Sequence, residues 1–165
     1  MPVNGKNKGN SYERKIANLL SARFQVITGL PTSFRRNADS GSFFGGSNVK
    51  RTTTHDLNHA NFGDIICPEK FKFSIECKNY KTAPTLNSLI RGSITQWDKW
   101  IKQATQDAVS SNKKMLLIIK YNGVDDIVFV DTIIPQLTTI FPYKDVFGYK
   151  LSDLLSLNDD YFFVI

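Results

Sequence analysis

The chain lacks most of the features that would place it in a membrane or an oxidising compartment. It has two cysteines, Cys67 and Cys77, in 165 residues, too few for a disulfide framework. Each lies in an apolar, strand-like run, so both read as reduced core thiols. No apolar run approaches the roughly 20 residues that a membrane-spanning helix needs. The opening MPVNGKNKGNS has none of the apolar stretch of a secretory signal, and the expectation is a cytoplasmic protein without a membrane partner. There is no internal repeat and no heptad array. Histidine is scarce as well. His55 and His59 are the only two, and with the cysteines they match no zinc spacing. They read as polar loop residues within reach of phosphate.

Acid is scarce in one place. Residues 1–55 hold nine Lys and Arg against two Asp and Glu, whereas residues 56–165 hold twelve against thirteen. The whole excess behind the net charge of +6 therefore lies in the first third. A one-sided basic segment is the electrostatic footprint of a polyanion-binding region. Its candidate phosphate contacts include Lys6, Lys8, Arg35, Arg36, Lys50 and Arg51.

What is present suits one soluble domain over residues 1–165, with 41% hydrophobic and 12% aromatic residues and enough length to bury a core. Residues 1–9 read as a flexible basic arm. NSYERKIANLLSARF predicts a helix capped by Asn10, with Glu13 closing a capping box. Tyr12, Ile16, Leu19 and Leu20 form its apolar stripe, and Glu13 lies at the edge of that stripe. FQVITG is a short strand candidate. Residues 31–61 read as a long substrate loop, since connections of this length are usually functional. GDIIC and FKFSIECK predict two strands of a hairpin joined by PEK. Leu86 to Val109 predicts one long helix with a stripe of Leu86, Ile90, Ile94, Trp97, Ile101, Ala104 and Ala108. KKMLLIIKY and DDIVFVD are further strands. Residues 132–165 form a C-terminal extension with a short helix at LSDLLSL. Its ending YFFVI reads as a final strand, with a partner-docking tail as the alternative. The order predicts an α/β protein with a central mixed sheet flanked by helices.

Three charges stand out in the hairpin. Asp64 opens the first strand, and Glu76 and Lys78 close the second on one face. One reading is a solvent-facing strand edge with a surface Glu–Lys pair. The other follows if the hairpin is antiparallel, because Asp64 and Glu76 then converge. Two converging carboxylates are costly without a cation. Mg²⁺ takes carboxylate oxygens while keeping waters for substrate phosphates. Such a site can activate water and neutralise charge on a phosphate, and a lysine beside it can stabilise that charge.

Helix-Glu in GNSYERKIANLL, then GDII, then SIECK, then a long helix and an apolar strand, resembles the PD-(D/E)XK nuclease superfamily. More closely it resembles the archaeal-type (Hjc-like) Holliday junction resolvases and their phage relatives, in which an arginine precedes Ser-Gly by four residues. Here these are Arg36, Ser40 and Gly41 in RNADSG. The stretch between SGS and GD and the tail after Asp131 are longer than that pattern. The resemblance implies a restriction-endonuclease-like fold with an αβββαβ core. It implies that Asp64 and Glu76 hold Mg²⁺, with Mn²⁺ as a substitute, that the Cys77 carbonyl adds a ligand, and that Glu13 completes the site. Lys78 would activate water, and Ser40 would act in the substrate loop. The implied function is cleavage of four-way or branched DNA in recombination by a homodimer, in the host cytoplasm if the source is a phage. Gln96 and Trp100 in QWDKW resemble the Q-x-x-x-Y element of RecB-like nucleases, which makes Gln96 a DNA-contact candidate. Trp97 and Trp100 read first as core or dimer-interface aromatics. The alternatives are a restriction-type, RecB-like or nicking enzyme, and a non-catalytic DNA-binding module on the same fold.

Overall fold

The computed structural model describes residues 5–37 and 62–165, with side chains from residue 8 onward. The chain runs through α1 (Gly5–Arg23), α2 (Gln25–Thr28), β1 (Arg35–Arg36), β2 (Ile65–Ile66) and β3 (Phe73–Tyr80). It continues through α3 (Leu86–Ile90), α4 (Thr95–Ser110), β4 (Lys114–Tyr121) and β5 (Ile127–Val130). It ends with β6 (Phe141–Tyr143), β7 (Val146–Lys150), α5 (Leu151–Leu154) and α6 (Asp159–Phe162). Five strands form one mixed sheet in the order β3-β4-β5-β7-β6. β3 and β4 run parallel along their whole length, Phe73 opposite Lys114 and Tyr80 opposite Tyr121. The other pairs are antiparallel. The continuous apolar run MLLII of β4 is what a strand covered on both faces requires.

The cover differs by face. Ile75, Cys77, Leu116, Ile118, Val128 and Tyr149 pack under α1 through Tyr12, Ile16, Ala17 and Leu20, together with Leu154 and Phe162 of the C-terminal helices. Met115, Leu117, Ile119 and Tyr121 pack under α4 through Trp97, Trp100, Ala104 and Ala108. The mixed sheet flanked by helices is the predicted architecture. Both tryptophans are core residues. The Trp97 indole N–H donates to the Tyr121 hydroxyl at 2.8 Å, and Trp100 packs on Tyr80 with ring centroids 4.7 Å apart. Among the described residues no helix is long and apolar enough to cross a membrane.

Several local expectations differ from the structure, each for a physical reason. α1 begins at Gly5, so Asn10 lies inside it and Glu13 closes no capping box. FQVITG is helical because the i→i−4 bonds continue past Arg23, Phe24 N–H to Leu20 O and Thr28 N–H to Phe24 O, until Gly29 ends them at φ 66°. The helix expected over 86–109 is two helices. Gly92 turns left-handed at φ 62°, and the extended Ile94 gives its N–H to the Tyr143 hydroxyl. Leu86 and Ile90 are consequently exposed. The hairpin arm β2 pairs with β1 instead of laddering along β3, and one backbone–backbone bond, Asp64 N–H to Ile75 O at 2.8 Å, ties its entry to β3. In YFFVI only Tyr161 and Phe162 are helical, at the end of α6, while Phe163 bridges to Phe71 and Val164 N–H bonds Lys70 O. The hairpin of β6 and β7 was not anticipated. Its signal was the turn Lys144-Asp145 between alternating apolar residues, with Lys144 at φ 51°.

Candidate active site

The site is built on the crossing of the β2 entry with the middle of β3. Gly63 takes φ +77°, and a Cβ there would stand 2.5 Å from the Ile75 carbonyl oxygen. Only glycine has both the conformation and the room. The turn so made delivers Asp64 to β3. Its backbone N–H bonds Ile75 O, and its Oδ2 accepts the Cys77 N–H at 2.8 Å. Asn37, buried at the end of β1, clamps the same turn. Its backbone N–H donates to Asp64 O at 2.8 Å, and its Nδ2 donates to Gly63 O at 3.0 Å.

Glu76 stands between Ile75 and Cys77 in sequence but on the opposite face of β3, under α4, and is 2% exposed. The face of β3 that one of the two sequence readings gives to solvent is therefore buried. Lys78 Nζ donates to Glu76 Oε1 and, at 3.2 Å, to Gln103 Oε1 on α4. Burial, then Asp64, pushes the Glu76 carboxyl up to about 8 despite Lys78. Burial alone would lower the Lys78 ammonium, but Glu76 holds it above its ordinary value. Asp107, one turn beyond Gln103, is pushed up to about 6 by burial and then by Asp64. Glu13 enters from α1. Its Oε2 accepts Arg36 Nε at 2.6 Å, and Arg36 Nη2 donates to Asn10 Oδ1 at 2.8 Å. Burial, then Asp64, raises the Glu13 carboxyl against the pull of Arg36. The field of Asp64 thus reaches Glu13, Glu76 and Asp107, acids from two helices and a strand.

The other sequence-predicted residues are spread around this point. Arg35 is exposed on β1, whereas Arg36 is half-buried on Glu13. Lys8 donates to Asn122 Oδ1 at 3.3 Å. Gln96 is half-buried two turns before Gln103, on the same helix face, and Gln103 is the glutamine that meets Lys78. Ser40, Lys50, Arg51, His55 and His59, and the side chain of Lys6, lie outside the described residues. Both cysteines are free thiols, and burial pushes both up, so they stay protonated. Cys77 meets Asp64 through its amide.

Sequence reading missed Asn37, Gln103 and Asp107. A signal existed for the last two, which flank the small residues Ala104 and Ala108, where a helix can approach a sheet closely. Asn37 carried no local signal. Replacing it with alanine removes the side-chain bond to Gly63 O and loosens the clamp on the Gly63–Asp64 turn. The expected cost is about 1–3 kcal/mol, read as a lower midpoint in thermal or urea melts, and an unchanged midpoint would remove its clamping role.

Among the described residues no three His, Cys, Asp or Glu side chains come together as a metal cage. Asp64 and Glu76 are a pair of oxygen donors, desolvated and facing each other's charge. That donor set fits a hard divalent cation, and Mg²⁺ is commonly held by one or two carboxylates with waters and substrate phosphate completing its shell.

A family model described as "Phage putative PDDEXK endonuclease" matches residues 4–153. No curated protein and no solved structure matches the chain.

Proposed function

The chain belongs to the phage putative PDDEXK endonuclease family, and from that premise we propose that it is a Mg²⁺-dependent DNA endonuclease whose preferred substrate is branched or four-way DNA. One observation carries the nuclease reading: Asp64 and Glu76 are buried within range of each other's charge, with Lys78 bonded to Glu76. A solvated strand edge offers no reason to bury such a group.

In this reading Asp64 and Glu76 hold the cation, with the Cys77 carbonyl and Glu13 as further contributors and Mn²⁺ as a substitute. When bound, the cation lowers the pKa of water and offsets charge on the phosphate. Lys78 opposes the upward push of burial and Asp64 on Glu76 and presents its Nζ to the attacking water, with Gln103 fixing the ammonium from α4. The water oxygen joins phosphorus, the bond to the 3′ oxygen breaks, and that oxygen takes a proton, leaving 5′-phosphate and 3′-hydroxyl ends. Lys8, Arg35 and Gln96 lie on the described surface as phosphate contacts. Lys6 would add to them from the start of α1, and Ser40, Lys50 and Arg51 from the 38–61 segment. Arg36 serves first as the partner of Glu13. The preference for junctions rests on the resolvase resemblance and the basic first third. A four-way junction has near-twofold symmetry, so paired cuts call for a C₂ homodimer.

Labelled four-way junctions, plain duplex and single strands, incubated with Mg²⁺ or EDTA, test both levels. The expected result is Mg²⁺-dependent cutting of the junction above the others. Equal cutting of duplex and junction removes the junction preference. No Mg²⁺-dependent cutting of any DNA removes the nuclease.

A further inference from the structure

Residues 56–165 carry no net positive charge as a block, yet folding separates their charges. Lys70, Lys72, Lys113 and Lys114 come together around an open groove of about 820 Å³ at the starts of β3 and β4, with Glu69 as the single acid in its lining. Lys72 is tied down by donating to the Asp160 carbonyl. Among the described residues Lys70, Lys113 and Lys114 have no ion-pair partner. Most of the acids that balance the block lie elsewhere, on α4 and on the β4–β5 turn among other places, while Asp160 of α6 meets Lys72 through its carbonyl.

The groove leads toward the active site. Cys67, Ser111 and Lys113 line both it and a smaller cleft whose other walls include Phe62, Phe73 and Ser74. Ser74 is 4% exposed, and its hydroxyl has no partner among the described residues, so a buried donor is left for a ligand or water at the inner end. Two residues on, along the same face of β3, stands Glu76, and one turn before Ser111 on α4 stands Asp107. Lys114 lies opposite Phe73, three residues from Glu76, or roughly 10 Å at strand rise. Projected on the axis of B-DNA, at about 3.4 Å per nucleotide of one strand, that rise is about three nucleotides.

We propose that this groove is a second phosphate track, in which Lys70, Lys113 and Lys114 hold the backbone of duplex DNA about three nucleotides from the phosphate under attack. The proposal rests on the nuclease reading and adds a binding surface outside the basic first third. A flexible ammonium is suited to it, since backbone contacts position the duplex without reading its sequence.

Duplex binding is measured against salt concentration in a Glu76→Gln background, which keeps the DNA intact. Lys113→Ala with Lys114→Ala is expected to lower the slope of log affinity on log salt by about 2, close to 0.9 for each phosphate that is no longer neutralised. Lys70→Ala alone is expected to lower it by about 1. Lys150→Ala, on β7 at the far side of the sheet and paired with Asp125, is expected to leave it unchanged. The three groove lysines tested lie at least partly in solvent, and a thermal melt verifies that each variant folds. If the wild type cuts DNA but the slopes of the groove variants match their background, the groove proposal falls alone. If Lys150→Ala lowers the slope as much as Lys70→Ala, the effect is one of net charge, and the proposal falls as well. If the wild type neither binds nor cuts DNA, the nuclease reading falls first and takes the groove with it.

Discussion

Glu76→Gln is expected to lower the rate of DNA cleavage by roughly 10³-fold or more while leaving DNA affinity close to that of the wild type. The substitution keeps the volume of a side chain that is 2% exposed, so packing under α4 is preserved. It removes one of the two converging carboxylates and the anionic partner of Lys78. Asp64 keeps its bond from the Cys77 amide, so the turn at Gly63 stays in place. The loss therefore falls on chemistry and not on binding. Single-turnover cleavage with saturating Mg²⁺, paired with fluorescence anisotropy on the same DNA, separates the two. Cleavage at the wild-type rate would show that Glu76 is structural.

The same variant is expected to be more stable than the wild type at pH 8 in EDTA. In the folded chain burial and Asp64 raise the Glu76 carboxyl from 4.5 to about 8. Below pH 4.5 both folded and unfolded chains hold this proton. Between the two values the unfolded chain releases it and the folded chain retains it. Stability is then lost as pH rises through the window, by up to about 1.4 kcal/mol for each unit. Asp107, raised from 3.8 to about 6, adds a loss of the same sign at lower pH. Glutamine removes the Glu76 share. The midpoint of urea melts from about pH 4 to 8 with chelator should fall steadily for the wild type and change less for the variant. Adding Mg²⁺ at about pH 8 should raise the midpoint of the wild type alone.

These expectations rest on a pattern that was partly legible in the sequence. The two-residue alternation of FKFSIECK put Cys77 on one face and Glu76 with Lys78 on the other, and that sorting is local to the strand. The convergence with Asp64 was also legible, because any close return of the chain after PEK brings the two together. The structure reaches it without a β2–β3 ladder, through one backbone bond and the Cys77 amide. Burial of the Glu76 face was not legible, because α4 supplies it from a distant part of the chain. The break at Gly92 was missed because apolar spacing continues across it, and only the bond of Ile94 N–H to the Tyr143 hydroxyl reveals that the chain has turned. Glu13 was placed correctly at the edge of the apolar stripe but for the wrong local reason. It lies in the third turn of α1, held by Arg36, instead of in a cap. Block charge pointed to the first third and hid the lysine groove, since strand pairing alone brings Lys72 beside Lys114.

Gly63→Ala is expected to damage both fold and site, more than any other single methyl added to a glycine of left-handed backbone here. Four described glycines have positive φ: Gly29, Gly63, Gly92 and Gly123. At Gly29, Gly92 and Gly123 a Cβ meets nothing within 4 Å, so alanine there costs only the backbone preference, about 1 kcal/mol. At Gly63 it meets the Ile75 carbonyl oxygen at 2.5 Å and Ser74 Oγ at 3.0 Å. The hydroxyl can rotate away, but the carbonyl belongs to β3, which is largely buried and paired along its length to β4. The β2 side must move instead. That stretches Asp64 N–H from Ile75 O and Asn37 Nδ2 from Gly63 O, the bonds that hold the Asp64 turn in place against β3 and β1. Backbone strain and overpacking together put the cost at roughly 2–6 kcal/mol. A shift of about 1 Å in a catalytic group lowers activity by about 10²-fold. Thermal melts and cleavage rates of Gly63→Ala beside Gly29→Ala decide the matter. Equal melting points and equal rates for the two would mean that the turn yields and that Asp64 is not held by it. A rate loss in Gly63→Ala at a temperature where the protein remains folded would separate misplacement of Asp64 from loss of the native state.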